Sequence, residues 1–201
     1  MLTRLDDYLL HQTAEPIAQP ATGDRNFYDR YFFHGYTRNG DVFFAAALGV
    51  YPNRRVMDAA FSVVRGGRQY VVRASRQAPE ERTETRVGPI AVEVVEPLLA
   101  LRVRVAPNAC GLAADLLFRA RSAAIEEPRY THRVAGRVYM DSTRLTQFGT
   151  WEGTLDVAGE RVDATPARVL GARDRSWGIR PVGEPEGGAP GAPWFTVTRA
   201  L

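Results

Sequence analysis

Lysine is absent from the chain: every one of its 26 Lys+Arg residues is arginine. That removes lysine Schiff bases, the phosphate-loop lysine and the kinase lysine from the available chemistry. A GC-rich coding bias accounts for the replacement without a functional demand. Cysteine is nearly absent too. Cys110 stands alone, so there is no internal disulfide and no multi-cysteine zinc site. It has no catalytic signature or histidine partner and reads as a buried apolar residue. The three histidines, His11, His34 and His132, are far apart and none has metal-ligand spacing, so neither a metal nor another cofactor is expected. No apolar run approaches the roughly 20 residues of a membrane helix. The opening Met1-Leu2-Thr3-Arg4-Leu5-Asp6-Asp7 carries acids where a secretory leader needs an apolar core. The expected address is a bacterial-type cytoplasm, without stable membrane insertion. Ser176 lacks the flanking glycines of a hydrolase elbow, and Gly66-Gly67 reads as a hairpin turn, not a phosphate loop.

What is present belongs to a globular domain. Of 201 residues, 45% are hydrophobic and 24% charged, which excludes wholesale disorder. The pI is about 9.3, but 23 acids are interleaved with the arginines. No basic stripe forms, so nucleic acid is not an expected partner.

Residues 1–26 read as an irregular lead, with at most a turn or two of helix over 6–10 before Pro16 and Pro20. From residue 27 the chain reads as strand after strand. An aromatic run over 27–38 turns at Asn39-Gly40 and returns over 41–51; 57–65 turns at Gly66-Gly67 and returns over 68–76. Further strands are expected over 90–96 and 98–105. In the second, Leu101, Val103 and Val105 alternate with Arg102 and Arg104, placing apolar and charged groups on opposite faces. Residues 111–121 fit either a short helix or a strand, and their context favours the strand. Residues 143–157 form another, turning at Ala158-Gly159 into 161–169. After residue 180 the composition becomes rich in proline and glycine, and Trp194-Phe195-Thr196-Val197-Thr198 looks like the start of another strand.

Strands spaced about 8–12 residues apart by turn signals argue for an all-β fold, an antiparallel barrel or a strongly bent sandwich. A closed barrel of about eight strands holds one small ligand. Phe27, Tyr28, Tyr31, Phe32, Phe33, Tyr36, Phe43 and Phe44 fall within one hairpin. Both of its faces are therefore apolar, as an ordinary aromatic core or as a cavity wall under a covering loop.

Three segments are more specific. They are Gly49-Val50-Tyr51-Pro52-Asn53 leading to Val56-Met57-Asp58, then Val72-Arg73-Ala74-Ser75-Arg76, and Gly171-Ala172-Arg173-Asp174-Arg175-Ser176-Trp177-Gly178-Ile179-Arg180. Together with Trp151-Glu152-Gly153 they resemble the lipocalin-like (calycin-type) superfamily of carotenoid 1,2-hydratases and Diels–Alderases, in its uncharacterised bacterial branch. The resemblance implies a lipocalin-like β domain over 27–180. It also implies a linker over 181–201 leading to a second domain, since members usually carry two consecutive barrels. That second lipocalin-like domain is then a possible partner. Arg175 stands where the family usually has histidine, and guanidinium does not titrate near neutrality.

Two functions follow. One is binding of an apolar small molecule of terpenoid, steroid or fatty acyl type in the barrel. The other, which the resemblance implies, is a hydratase or cyclase reaction on an isoprenoid-like substrate, with Asp174 as general acid and Trp177 facing the cation. The structural alternative is that Asp174 pairs with Arg173, Arg175 or Arg180 and pins a loop between strands, a pairing that lowers its pKa. Trp177-Gly178 is expected to plug one barrel end. The expected ligand wall is Trp177, His34, Tyr36, Tyr51, Arg73 and Trp151, with Asp58, Arg73 and Arg76 as a set of ion pairs or a headgroup site.

Overall fold

Three two-residue turns with both central residues at positive φ, Gly66-Gly67, Ala135-Gly136 and Ala158-Gly159, each join strands that continue directly on either side. Such turns match the twist of a strand pair and fix its register. In the computed structural model, which describes residues 2–181, these and longer turns connect thirteen strands. The strands are β1 (Phe27–Thr37), β2 (Val42–Tyr51), β3 (Val56–Arg65), β4 (Arg68–Gln77), β5 (Arg86–Val87), β6 (Ile90–Glu96), β7 (Ala100–Val105), β8 (Leu112–Ala120), β9 (Ile125–Glu126), β10 (Tyr130–Val134), β11 (Arg137–Val157), β12 (Glu160–Ala164) and β13 (Val169–Ile179).

The sheet is antiparallel throughout and runs β4-β3-β2-β1-β13-β11-β8-β7-β6-β5, with β9, β10 and β12 added on β11. The two end strands of this path, β4 and β5, come back beside one another, so the sheet curls into a nearly closed barrel. Among the described residues no ladder joins β4 to β5. Side chains cross that seam instead: Arg76 donates to Glu84 at 2.6 Å and to the Arg86 carbonyl at 3.2 Å.

Alternation along each strand fills the interior. Val42, Phe44, Ala46 and Leu48 on β2, Phe61 and Val63 on β3, and Leu112, Leu116 and Phe118 on β8 are all buried. Leu101, Val103 and Val105 point inward while Arg104 is exposed, as their alternation requires. Trp151 is the centre of this packing, with Phe44, Phe118 and Phe33 at 5.2, 5.3 and 5.9 Å between ring centroids. Its indole N–H donates to the His34 carbonyl at 3.0 Å, so the one polar atom of the ring is satisfied. The ring fits because Gly171 faces it: a Cβ there would lie 2.2 Å from the His34 carbonyl and 2.3 Å from the indole nitrogen.

Several expectations are corrected here. Trp151, not Trp177, plugs the barrel; Trp177 is 38% exposed and sits opposite Asp29 and Thr143 near the strand ends. Residues 161–169 are not one strand, since the Arg168 and Val169 amides both donate to Thr165 and turn the chain. The Arg-Asp-Arg-Ser-Trp-Gly segment is then β13 itself and not a loop. Residues 111–121 do form a strand, β8. The lead contains one short 3-10 turn, Arg4–Asp7. Cys110 is exposed, because it lies in the turn before β8, where Asn108 accepts its amide. The expected strand at 194–198 lies outside the described residues.

Candidate binding site

Successive residues of a strand face opposite sides of its sheet, and β13 is where this matters most. Val169, Gly171, Arg173 and Arg175 face the interior; Asp174 and Ser176 face outward. Register places Phe33 beside Arg173, and Tyr31 between Arg175 on β13 and Leu48 on β2. One end of the interior is thus apolar and filled. The other carries a wall of Asp29, Tyr31, Gln147, Arg173 and Arg175.

The two arginines in this wall differ. Arg175 forms an ion pair with Asp29, and its guanidinium lies 4.8 Å from the Tyr31 ring centroid and 5.7 Å from that of Trp177. Burial lowers its pKa to about 10, so it stays charged at neutrality, held by its carboxylate. Arg173 is only 3% exposed and has no carboxylate within ion-pair distance among the described residues. Its Nε donates to the Gln147 amide oxygen at 2.8 Å, and its guanidinium lies 6.0 Å from the Phe118 centroid. The Gln147 amide nitrogen in turn donates to the Leu98 and Ser122 carbonyls at 2.8 and 3.0 Å. The amide is therefore locked with its oxygen toward the arginine. Burial pushes the Arg173 pKa down, against a smaller upward pull from Tyr31; burial also raises the Tyr31 phenol.

The outer face of the same strands holds most of the residues expected from sequence. Asp58, Gly49, Arg30, Ser176 and Arg144 form one row across β3, β2, β1, β13 and β11; Ala60, Ala47, Phe32, Asp174 and Thr146 form the next; Ser62, Ala45, His34, Ala172 and Phe148 the third. Asp174 pairs with Arg30 at 3.6 Å. It does not pair with Arg173 or Arg175, which point through the sheet, nor with Arg180, whose guanidinium lies 4.7 Å from the Tyr28 centroid. Burial raises the Asp174 pKa, and Arg30 and Arg144 oppose the rise. Asp58 is likewise raised by burial and lowered by Arg30. Gly49 makes room for this group, since a Cβ there would lie 2.9 Å from the Tyr51 hydroxyl and 3.2 Å from the Asp58 carboxylate.

His34 stacks on Phe43 with centroids 6.2 Å apart; burial lowers its pKa and Asp174 raises it. Four buried polar atoms on this face have no hydrogen-bond partner among the described residues: Arg30 Nε, His34 Nδ1, Asp174 Oδ1 and Ser176 Oγ. Tyr36, also on this face, is 42% exposed. Arg73 is exposed on β4 opposite Ala60. The expected ion-pair set of Asp58, Arg73 and Arg76 is not assembled: Arg76 is taken by Glu84, and the cation that acts electrostatically on Asp58 is Arg30.

The structure thus splits the expected wall. Trp151 and Trp177 are on the inner face; Asp174, His34, Tyr36, Tyr51 and Arg73 are on the outer. The inner polar residues Asp29, Tyr31, Gln147 and Arg173 were missed. The signal that finds them is parity, counted from Phe33 along β1 and from Val169 along β13. Among the described residues, no three His, Cys, Asp or Glu side chains are grouped to hold a metal, and no helix is long and apolar enough to cross a membrane.

A family model described as a family of unknown function, DUF8625, matches residues 2–198. No curated protein matches. Among solved structures, kievitone hydratase from Nectria haematococca is similar with a TM-score of 0.58 at 18% identity, over 74% of this chain and 47% of that one. An ATTH-type protein from Nitrosomonas europaea is similar with a TM-score of 0.58 at 14% identity, over 79% and 53%. CghA in complex with Sch210972 follows with a TM-score of 0.50 at 13% identity, over 76% and 46%. The chain spans about half the length of each, and the likeness is one of fold.

Proposed function

This chain belongs to DUF8625, a family of unknown function, and we propose from its geometry that it binds a small, largely apolar molecule at the polar end of its barrel. The observation that carries this reading is Arg173, a buried cation inside the barrel with a neutral amide as its hydrogen-bond partner. A buried charge without a counter-charge costs several kcal/mol. A ligand oxygen, carbonyl, hydroxyl or anionic, would complete its hydrogen bonding, and the surrounding Tyr31 and Leu48 would take the apolar body. Trp151 and its aromatic neighbours fill the other end, which confines the ligand to the polar half. Native mass spectrometry of gently purified protein tests this directly. A co-purifying organic molecule that is lost in Arg173→Met is expected; a wild-type protein that travels clean and takes up no apolar compound would overturn the reading.

A second reading is favoured by one observation on the outer face. The Asp174 carboxyl, raised by burial, stands among the unmet polar atoms of Arg30, His34 and Ser176. Hydration or cyclisation of an alkene requires a carboxylic acid that can deliver a proton, and burial favours the protonated form of Asp174. We therefore propose, as the alternative, acid chemistry on an isoprenoid-like substrate held against this face, under a further domain. Asp174→Asn should then abolish turnover without lowering the melting temperature. Turnover that survives the substitution would remove Asp174 as the acid.

A further inference from the structure

Among the described residues, side chains and not a ladder bridge the β4–β5 seam, and on its β5–β6 side a cavity of about 430 Å³ opens. Tyr31 lines it from the barrel, Arg82, Thr83 and Thr85 from the connecting segment, and Val92 and Val94 from β6. Its charges are unequally matched. Arg104, on its rim, is paired with Glu93 at 3.1 Å and with Asp115 at 3.7 Å. The acids of the connecting segment are already committed: Glu81 accepts from the Arg4 amide and side chain at 2.8 and 3.2 Å, and Glu84 accepts from Arg76. Exposed Glu80 lines a separate cavity of about 300 Å³ that Arg82 also borders, and it makes no ion pair with Arg82. Arg82 itself, half-buried, has no hydrogen bond or ion pair with any described residue. Arg86, exposed, adds a second positive charge to the same cavity.

We propose that this seam takes the acidic group of an amphipathic ligand, a carboxylate or a similar oxyanion, on Arg82. The Thr83 hydroxyl can donate as well, since its oxygen accepts from Arg4 at 3.3 Å and its proton is uncommitted. Thr85 cannot, because its hydroxyl already donates to the Val92 carbonyl. The apolar part of the ligand follows Val94, Val92 and the Tyr31 ring toward the polar end of the barrel. This inference rests on the barrel-binding reading and adds the class of ligand, an amphipathic acid. The Arg173 oxygen site and the Arg82 acid site are then two ends of one path that meets at Tyr31.

The test uses a dansyl-tagged fatty acid and its methyl ester, titrated by fluorescence into the full chain. Wild type is expected to bind the acid about tenfold more tightly than the ester, the ratio a charge-assisted hydrogen bond gives, and to lose part of that preference in high salt. Arg82→Gln should bring the acid down to the ester without changing the ester, and Arg82→Lys should keep part of the preference. Arg82 lies outside every strand ladder, so these variants leave the barrel intact. Equal binding of acid and ester by wild type would overturn the acid site and leave the barrel reading standing. A preference that survives Arg82→Gln would also overturn it, by assigning the acid to another cation such as Arg173. Failure of both probes to bind would remove the barrel reading, and this inference with it.

Discussion

The two ends of the barrel are built from the same strands, yet they obey different rules. At the apolar end, alternation along β2, β3, β8 and β11 delivers apolar side chains to the interior, and the polar atoms among them are satisfied: the Trp151 indole N–H donates to the His34 carbonyl, and the Thr37 hydroxyl accepts from the Val42 amide. At the other end, the same alternation along β1 and β13 delivers Asp29, Tyr31, Arg173 and Arg175 to the interior. A core built for stability alone has no reason to contain Arg173, because an apolar side chain of similar volume stabilises as well or better. The difference separates a half that holds the fold from a half that is arranged for something else.

The largest expected effect tests the first half. Trp151→Ala should cost about 3–5 kcal/mol in urea denaturation, the loss of a buried aromatic plus its cavity. Gly171→Ala should come close to it, about 3 kcal/mol, since the new methyl would overlap the His34 carbonyl and neither backbone can give way. A small effect at both positions would mean that this end is loosely packed and that the contrast is false. The second test belongs to the polar end and has the opposite sign. Arg173→Met should leave stability unchanged or raise it by up to about 2 kcal/mol, the relief of a buried charge less the partly unmet Gln147 carbonyl. Ligand carried by wild type should be lost at the same time. If Arg173→Met destabilised as Trp151→Ala does, the polar end would be structural too.

Much of the fold was legible because it rests on local rules. The Gly66-Gly67 turn, the alternating Leu101-Arg102-Val103-Arg104-Val105 run and the aromatic hairpin each declare themselves within a few residues. The site was much less legible. The Arg-Asp-Arg-Ser-Trp-Gly motif marks the correct strand, but read as a loop it lets Asp174 meet Arg173 and Arg175. Once it is a strand, the pleat sends those arginines inward and Asp174 outward, and the acid finds Arg30 on β1 instead. The Thr165 turn does have a local signal in Pro166 at its second position, which reading 161–169 as one strand passes over, whereas the pairing of β13 with β1 joins the first strand to the last and has none. Trp151 and Trp177 are indistinguishable as composition; the glycines on β13 and β1 that leave room for the Trp151 ring, Gly171 and Gly35, separate the plug from the rim.

A smaller effect sharpens the comparison across the wall at the polar end. Asp174 is raised by burial in the folded protein. The folded state therefore holds the proton more tightly than the unfolded chain. Its stability is full below the ordinary carboxylate value of 3.8 and declines as pH rises through the folded value. Asp174→Asn removes that decline, so the variant should gain on wild type between acidic and neutral pH and then run parallel to it. Denaturation midpoints of the two proteins across that range check the sign. A variant that lost ground as pH rose would show that the Arg30 ion pair outweighs the cost of burial.

The smallest effect concerns the lead that flanks the polar end. Asp6 accepts from the amides of Thr3 and Ile17 at 2.6 and 2.7 Å, and from His11 at 2.9 Å, and these bonds hold its carboxyl far below the ordinary carboxylate range. The same lead reaches the seam through Arg4 and Glu81. A depressed carboxylate contributes order above its unfolded value, and that order is lost as pH falls through the folded one. Asp6→Asn keeps the shape but takes away one acceptor and the charge. Amide exchange should quicken over the lead and residues 78–85, with no change around Trp151 and no measurable shift in the global melting temperature. The two ends of the barrel would then differ in dynamics as they do in chemistry: the lead and the seam segment open by themselves, while the aromatic half opens only when the whole barrel does. Exchange that rose equally at Trp151 would instead tie the lead to global stability and make the barrel a single cooperative unit from end to end.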